Sequence, residues 1–239
     1  SSDLVALLDN PLINKQALAQ DLNSLAPIGA LPEGGVKRLA FSPEEAELHR
    51  CIASWLSELG GNVRKDAIGN LIARFPGQDN SLPAVATGSH LDSVPQGGNY
   101  DGVAGVVAAV AAVRAMRQYN LTTKHPLEVI VFVAEESSRF GIATLGSKVM
   151  AGLGDVNQWL ELKDNTGITL KEAASQNGAQ LAKIATARRR PEELKAFLEL
   201  HIEQGRVLEE TENKIGIVTA IAAPTRWQIT IQGRADHSG

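Results

Sequence analysis

LPAVATGSHLDSVPQGGNYDGVAGVVAAVAAVRAM, residues 82–116, decides how the chain is read. It opens on a continuous apolar run, LPAVATGSH, as expected of a strand covered on both faces. It closes on GVAGVVAAVAAVRAM (102–116), a helix of small residues able to pack closely on a sheet. The strand ends on His90, and Asp92 and Asp101 follow in a loop too rich in glycine to pack. A buried strand that ends on a histidine and leads into two acids calls for a chemical explanation.

The same alternation continues outward. LEVIVFVAEE (127–136) is a second buried strand, followed by a helix over 145–151. LKEAASQNG (170–178) is another helix, capped by Thr169 with Glu172 as its box partner. AFLELHIEQG (196–205) is a third buried strand. Upstream, Ser42, Pro43 and Glu45 start a helix over 42–59 with a capping box. Leu48, Cys51, Ile52, Trp55, Leu56 and Leu59 recur on it at helical spacing, and Gly60-Gly61 stops it. Short strands follow around Val63 and at 71–75, joined by DAIGN read as a turn. Strand, helix, strand, helix, strand argues for an α/β sheet covered by helices.

After Gly205 the pattern shifts to alternating β-rich runs, IGIVTAIAA and RWQITIQG, separated by Pro224. They read as the opening hairpin of a second domain. The expected division is residues 1–212 and 213–239. One hairpin cannot bury its own face, so the second unit is expected to be completed by further chain or a partner.

Composition narrows the function classes. The 239 residues are 44% hydrophobic and 21% charged, ordinary for a globular protein. A formal net charge of −4 gives no basic footprint for nucleic acid. Arg188, Arg189 and Arg190, the densest basic run, are expected at a solvated helix end. The single cysteine, Cys51, excludes an internal disulfide and a thiolate zinc cluster. No segment approaches the roughly 18 apolar residues of a membrane helix. The first residues, SSDLVALLDN, lack the basic start and apolar run of a signal peptide, which points to a cytoplasmic setting.

Each buried strand carries a metal-capable residue at its end: His90, the Glu135-Glu136 pair and His201. In open α/β sheets, ligands bind beyond the carboxyl ends of the strands. A sheet would bring these residues and Asp101 to one edge, although they are far apart in the chain. Two imidazoles and two carboxylates suit Zn²⁺, Mn²⁺ or Co²⁺. Asp101 is placed to bridge two ions, and Asp92 to hold the His90 ring N–H. Gly97, Gly98 and Gly102 are expected to let the loop turn so that Asp101 reaches the site. If the strand stays extended, Glu135 and Glu136 point apart; if it turns, both reach the site. Glu136 is assigned to the metal and Glu135 to general base. Singly these residues have ordinary structural explanations, and their joint placement is what points to an ion site. No G-x-S-x-G elbow supports a serine hydrolase.

Four motifs, SHLDSVPQGGNYDG, AEESSRFG, LHIEQG and GRADHSG, together resemble the metal-dependent amidases of the hydantoinase/carbamoylase family. That family includes N-carbamoyl-L-amino-acid hydrolases, β-ureidopropionase and allantoate amidohydrolase. The resemblance runs from about Ser42 to Gly239. It implies a mixed, largely parallel sheet flanked by helices, of the dinuclear zinc exopeptidase type, followed by a β-rich lid and dimerisation domain. His90, Asp101, Glu136 and His201 match family metal ligands, with Asp101 bridging. Glu135 matches the catalytic base, and Asp92 the residue supporting the first histidine. Gln204 matches a substrate-contacting position. His237 matches a lid histidine that stabilises the oxyanion, often across a dimer.

The implied reaction is hydrolysis of a linear amide in a small N-carbamoyl or ureido compound, by a metal-bound hydroxide. Homodimerisation of the full-length protein is implied too, with no nucleic-acid or membrane partner. His201 favours the carbamoylase branch, since related carboxypeptidase-like enzymes usually place an acid there. Ser137 and Arg206 depart from the family pattern without touching a ligand. Family members continue beyond this length, so the chain resembles an N-terminal portion. Within it one ion has His90, Asp101 and His201, and the second only Asp101 and Glu136. Alternatives are an aminoacylase or exopeptidase of the same superfamily, or a metal-free binding module that retains the fold.

Overall fold

The computed structural model describes residues 12–222, 227, 229–234, 236 and 237. Two compact units are present, one ending at Ile202 and one starting at Glu203.

The first unit is built on a five-stranded sheet. Its strands are β1 (Asn62–Lys65), β2 (Leu71–Phe75), β3 (Ala84–His90), β4 (Leu127–Phe132) and β5 (Leu194–Leu198), in the order β1-β2-β4-β3-β5. β1 with β2 and β2 with β4 are antiparallel; β3 is parallel to β4 and to β5. The sheet is therefore mixed, and its parallel half carries the loops that follow β3 and β4.

The helices of this unit are α1 (Lys15–Leu25), α2 (Pro43–Glu58), α3 (Val103–Gln118), α4 (Leu145–Ala151), α5 (Val156–Leu160) and α6 (Leu170–Gln176). Each central strand feeds two cores because its side chains alternate. Leu71, Ala73 and Phe75 of β2 and Val129 and Val131 of β4 pack with Leu48, Ile52 and Leu56 of α2 and Val106, Val107 and Val110 of α3. Ile72, Ala86 and Ile130 face the other way and pack with Met150 of α4. Burial on both faces explains the near-continuous apolar runs of β3 and β4. A third cluster, including Phe41, Ile68, Val133, Leu145 and Leu170, lies beyond the carboxyl end of β4.

Local signals account for the helix ends. Ser42 Oγ accepts the Glu45 N–H at 3.3 Å, and Pro43 occupies the first turn of α2. Glu45 does not close the expected box; its carboxylate accepts the N–H of Phe41 instead. The box at Thr169 and Glu172 forms as expected. Cys51 is partly buried and packs against the main core.

Three expectations are corrected. The strand over 196–205 is β5, at the edge of the sheet, with Phe197 and Leu198 exposed. It stops three residues before His201, because only Ala84–Thr87 of β3 pair with it. The Arg188–Arg190 run is a solvated helix end only in part: Arg188 and Arg190 are exposed at the ends of 3₁₀ turns, and Arg189 is not. The run links the two turns, and Arg189 lies between Glu128 and Glu193, bonding Glu193 at 3.1 Å. Burial next to the Glu128 carboxylate in β4 is what holds it.

The second unit, residues 203–239, contains one short helix, α7 (Val207–Glu210), among its described residues. Glu203 starts it by accepting the N–H groups of Val207 and Leu208 at 2.8 and 3.0 Å. The described residues of 215–222 and 227–234, where a hairpin was expected, are not paired as strands. Ala223–Arg226, the expected turn around Pro224, lie outside the described residues. Among the described residues no helix is long and apolar enough to cross a membrane.

Candidate metal centre

His90 is the last residue of β3 and lies level with Phe132, the last residue of β4. Its ring is almost fully buried and points its two nitrogens at different groups. Nδ1 is 3.0 Å from the backbone oxygen of Asp92 and 3.4 Å from its carboxylate. Nε2 is 3.8 Å from Asp101 Oδ1 and 3.9 Å from Glu135 Oε2.

His201 lies three residues beyond β5. Its Nε2 is 3.2 Å from Asp101 Oδ1, and its Nδ1 is 2.8 Å from the Ile202 carbonyl. The two imidazole rings are 6.0 Å apart, with their planes 26° from parallel. Donor atoms of His90, Asp101 and His201 all fall within 4.8 Å of one another.

Local packing brings the three together. A side chain at Gly102 would place its Cβ 2.5 Å from the His90 oxygen and 2.7 Å from the imidazole carbons. The residue also has φ of 64°, in the region that favours glycine. Gly102 therefore lets the start of α3 close over His90, with Asp101 beside the ring. Gly97 and Gly98 are not at positive φ, so the loop needs the special freedom only at 102. Gly97 instead exchanges two 2.9 Å backbone hydrogen bonds with Val36. One turn further along α3, a Cβ at Gly105 would overlap the Leu200 carbonyl oxygen. Ser89 Oγ donates to Glu199 Oε1 at 2.6 Å, tying the end of β3 to the segment that carries His201.

β4 ends at Phe132, so Glu135 and Glu136 do not stand on an extended strand. The chain turns at Ala134, whose φ is 50°. The Asp92 carboxylate accepts the N–H of Glu135 at 3.1 Å and that of Glu136 at 2.9 Å. Asp92 thus supports His90 through both its backbone carbonyl and its carboxylate, and the carboxylate also holds the acid pair. Glu135 approaches His90, and Glu136 lies within electrostatic reach of Glu135, Asp101 and His90. Glu136 is not among the three donors gathered within 4.8 Å.

The charges gathered here favour a cation. Burial opposes protonation of His90, but the hydrogen bond and charge of Asp92, with Glu135 and Asp101, push its pKa up to about 9. Burial raises the pKa of Glu135, partly offset by His90. Burial, then the charges of Glu135 and Asp101, raise Glu136 to about 7. The cluster holds protons because carboxylates crowd a partly dry site. A divalent ion satisfies the same need by displacing them.

The donor set fits such an ion. Both Nδ1 atoms face backbone carbonyls, which can only accept, so each Nδ1 carries its hydrogen. In the neutral rings both Nε2 lone pairs are then free to bind, and both flank Asp101 Oδ1. Two imidazoles and a carboxylate are donors for Zn²⁺, Mn²⁺ or Co²⁺. Gln204, with φ of 54°, and His237, whose N–H donates to Asp236 Oδ1 at 2.9 Å, belong to the second unit.

Sequence reasoning missed two contributors. Asn70 looked like part of a turn and Glu45 like part of a helix cap, yet both are buried and reach the turn that carries the acid pair. The one legible signal was DAIGN, in which Asp66 precedes Asn70 by one helical turn's spacing; the partner at Val133 is set by topology alone.

Comparison with known proteins bears on the family of the chain. Residues 86–236 match the model of peptidase family M20/M25/M40. The chain is 44% identical over 228 residues to an N-carbamoyl-L-amino acid amidohydrolase of Geobacillus stearothermophilus, covering 95% of this chain and 56% of that protein. It is 34% identical over 225 residues to an allantoate amidohydrolase of Bacillus subtilis, covering 94% and 54%. A crystal structure of a hydantoinase/carbamoylase family amidase from Burkholderia ambifaria aligns with a TM-score of 0.77 at 38% identity, covering 84% of this chain and 48% of that one. The chain thus spans about half the length of the relatives it matches. On these grounds the chain belongs to peptidase family M20/M25/M40 and, within it, to the hydantoinase/carbamoylase amidases.

Proposed function

We propose that the intact protein hydrolyses the linear amide of an N-carbamoyl amino acid or a related ureido compound. The observation that carries this reading is the convergence of His90, Asp101 and His201, with Glu135 beside the same cluster. The amidohydrolases to which the chain is similar supply the substrate class.

His90, Asp101 and His201 would hold one divalent ion; Glu136 with Asp101 would contribute to a second. Zinc, manganese or cobalt there supplies Lewis-acid polarisation of the amide carbonyl and a more acidic water. Glu135 takes the proton of the attacking water and passes it to the leaving nitrogen. Its raised pKa suits it to both steps. Asp92 keeps the His90 ring oriented and holds the N–H groups of the acid pair. Gln204 contacts substrate, and His237 stabilises the developing oxyanion. Residues 213–239 open a β-rich lid that also forms a homodimer contact.

Turnover assays on the intact protein with matched carbamoyl, acyl and peptidyl amino acids test this reading. A clear preference in kcat/KM for the carbamoyl or ureido compounds is expected. Preference for acyl or peptidyl substrates contradicts it, and points to an aminoacylase or exopeptidase.

A further inference from the structure

The turn that carries the acid pair is held by two buried side chains from two different segments. The Val133 N–H donates to Asn70 Oδ1 at 3.0 Å. The carboxylate of Glu45, from α2, lies within electrostatic reach of the Ala134 N–H. The Glu135 and Glu136 N–H groups go to Asp92. Three of four successive N–H groups, those of Val133, Glu135 and Glu136, are thus held by Asn70 and Asp92, both fully buried. The carbonyls of the turn go to the start of α4. Val133, Ala134 and Glu135 accept from Gly146, Leu145 and Thr144 at 3.0, 2.9 and 2.6 Å.

Asn70 joins both halves of this arrangement. Besides accepting from Val133, its Nδ2 donates to the Gly146 oxygen at 3.0 Å and to Asp66 Oδ2 at 2.7 Å. Asp66 is fixed in turn, because its Oδ1 accepts the N–H groups of Ile68, Gly69 and Asn70 at 3.1, 3.0 and 2.9 Å. The amide therefore has one available orientation. It clamps the exit of β4 to the first turn of α4, across a residue, Ala134, in a backbone conformation that L side chains rarely adopt. Such conformations persist only where the surroundings over-determine them.

We propose that Asn70, locked by Asp66, is a positioning residue for Glu135 and Glu136. It touches neither ion nor substrate and acts by fixing the turn on which both acids stand. The proposal rests on the reading that this acid pair does the chemistry, and deepens it. A displacement of about 1 Å in such groups can cost roughly 100-fold in rate.

Native-state hydrogen exchange on the intact protein is the first test. The amides of Val133, Glu135 and Glu136 are expected to be strongly protected and to exchange through one common opening. Fast, independent exchange of these three amides overturns the proposal. The second test compares Asn70→Ala with Asn70→Ser, which keeps a hydroxyl acceptor. In Asn70→Ala, exchange at Glu135 and Glu136 should rise about tenfold or more with Asp92 intact. Its kcat should fall roughly 10- to 100-fold, while KM and the ion assigned to His90, Asp101 and His201 stay near wild type. Asn70→Ser should recover part of both effects, and carries the comparison alone if Asn70→Ala does not fold. A folded variant with lower thermal stability but wild-type kcat and exchange overturns the proposal, because Asn70 is then only structural. The exchange measurement needs no substrate. If the wild-type protein turned over no carbamoyl or ureido compound, the amidase reading would fail while the exchange result still decided the role of Asn70.

Discussion

His201 Nε2 lies 3.2 Å from Oδ1 of Asp101, a residue that precedes it by about 100 positions and stands on a different loop of the same sheet. Neither residue belongs to a strand. Asp101 is positioned by the closure of α3 over His90, and His201 by the tie between Ser89 and Glu199. The pair therefore reports whether the carboxyl end of the sheet is assembled.

Glu135 is expected to be needed for proton transfer and not for ion binding. Glu135→Gln should retain metal, measured by elemental analysis, and lose roughly 10²- to 10⁴-fold in kcat. Near-normal turnover would remove Glu135 from the role of base.

Gly102 is expected to tolerate no side chain. In Gly102→Ala the new Cβ meets the His90 ring and main chain, and φ of 64° disfavours it further. Strain of this kind costs about 1–3 kcal/mol. Calorimetry should show a lower Tm, and the displaced imidazole should weaken ion binding. A variant with unchanged Tm and metal affinity would show that the loop does not close as described.

His49 should make the protein acid-labile. It is almost fully buried in α2, and among the described residues neither ring nitrogen has a hydrogen-bond partner. Burial, then the charge of Lys65, lower its pKa from 6.5 to about 3. The unfolded chain thus binds the extra proton first. The contribution of neutral His49 is present above pH 6.5 and is lost as pH falls toward 3. Glu45, 3.8 Å away, is raised from 4.5 to about 8 by burial and by Asp92. Its sign is opposite: the neutral acid favours the fold below pH 4.5, and that contribution is lost as pH rises through 8. The two are therefore neutral neighbours at pH 7, not an ion pair. Below pH 6.5, wild type should lose up to about 1.4 kcal/mol per pH unit more than His49→Leu, as read by denaturant titration. Parallel pH profiles would contradict this.

Glu128 is expected to anchor the sheet. It is buried in β4, bonds Arg74 at 2.7 Å and lies against Arg189. Glu128→Ala leaves the half-buried Arg189 with only Glu193, and removing one member of a buried pair costs about 3–5 kcal/mol. Urea titration should show that loss. A change below about 0.5 kcal/mol would mean that water replaces the carboxylate.

The sheet was legible because burial on both faces leaves long apolar runs, and β3, β4 and their helices were found within a few residues. β5 was misread as buried. Its sequence has the same apolar character, but the pairing that decides an edge position is a property of the whole sheet. The residues of the candidate site, His90, Asp101 and His201, were legible as polar residues near strand ends. The turn at Ala134 was not, since a non-glycine residue at positive φ gives no local warning. Asn70, Glu45 and the Ser89–Glu199 tie were hidden for a related reason: polar residues in turns and caps have ordinary local uses, and their buried partners lie far along the chain.

The most direct measurement is a crystal structure of protein purified without chelators, with anomalous data collected at the metal edges and elemental analysis of the same sample. The account predicts a transition-metal ion bound by Nε2 of His90, Nε2 of His201 and the carboxylate of Asp101. Metal-free protein whose Nε2 atoms still face Asp101 after soaking in zinc or manganese, or an ion bound elsewhere, would contradict it.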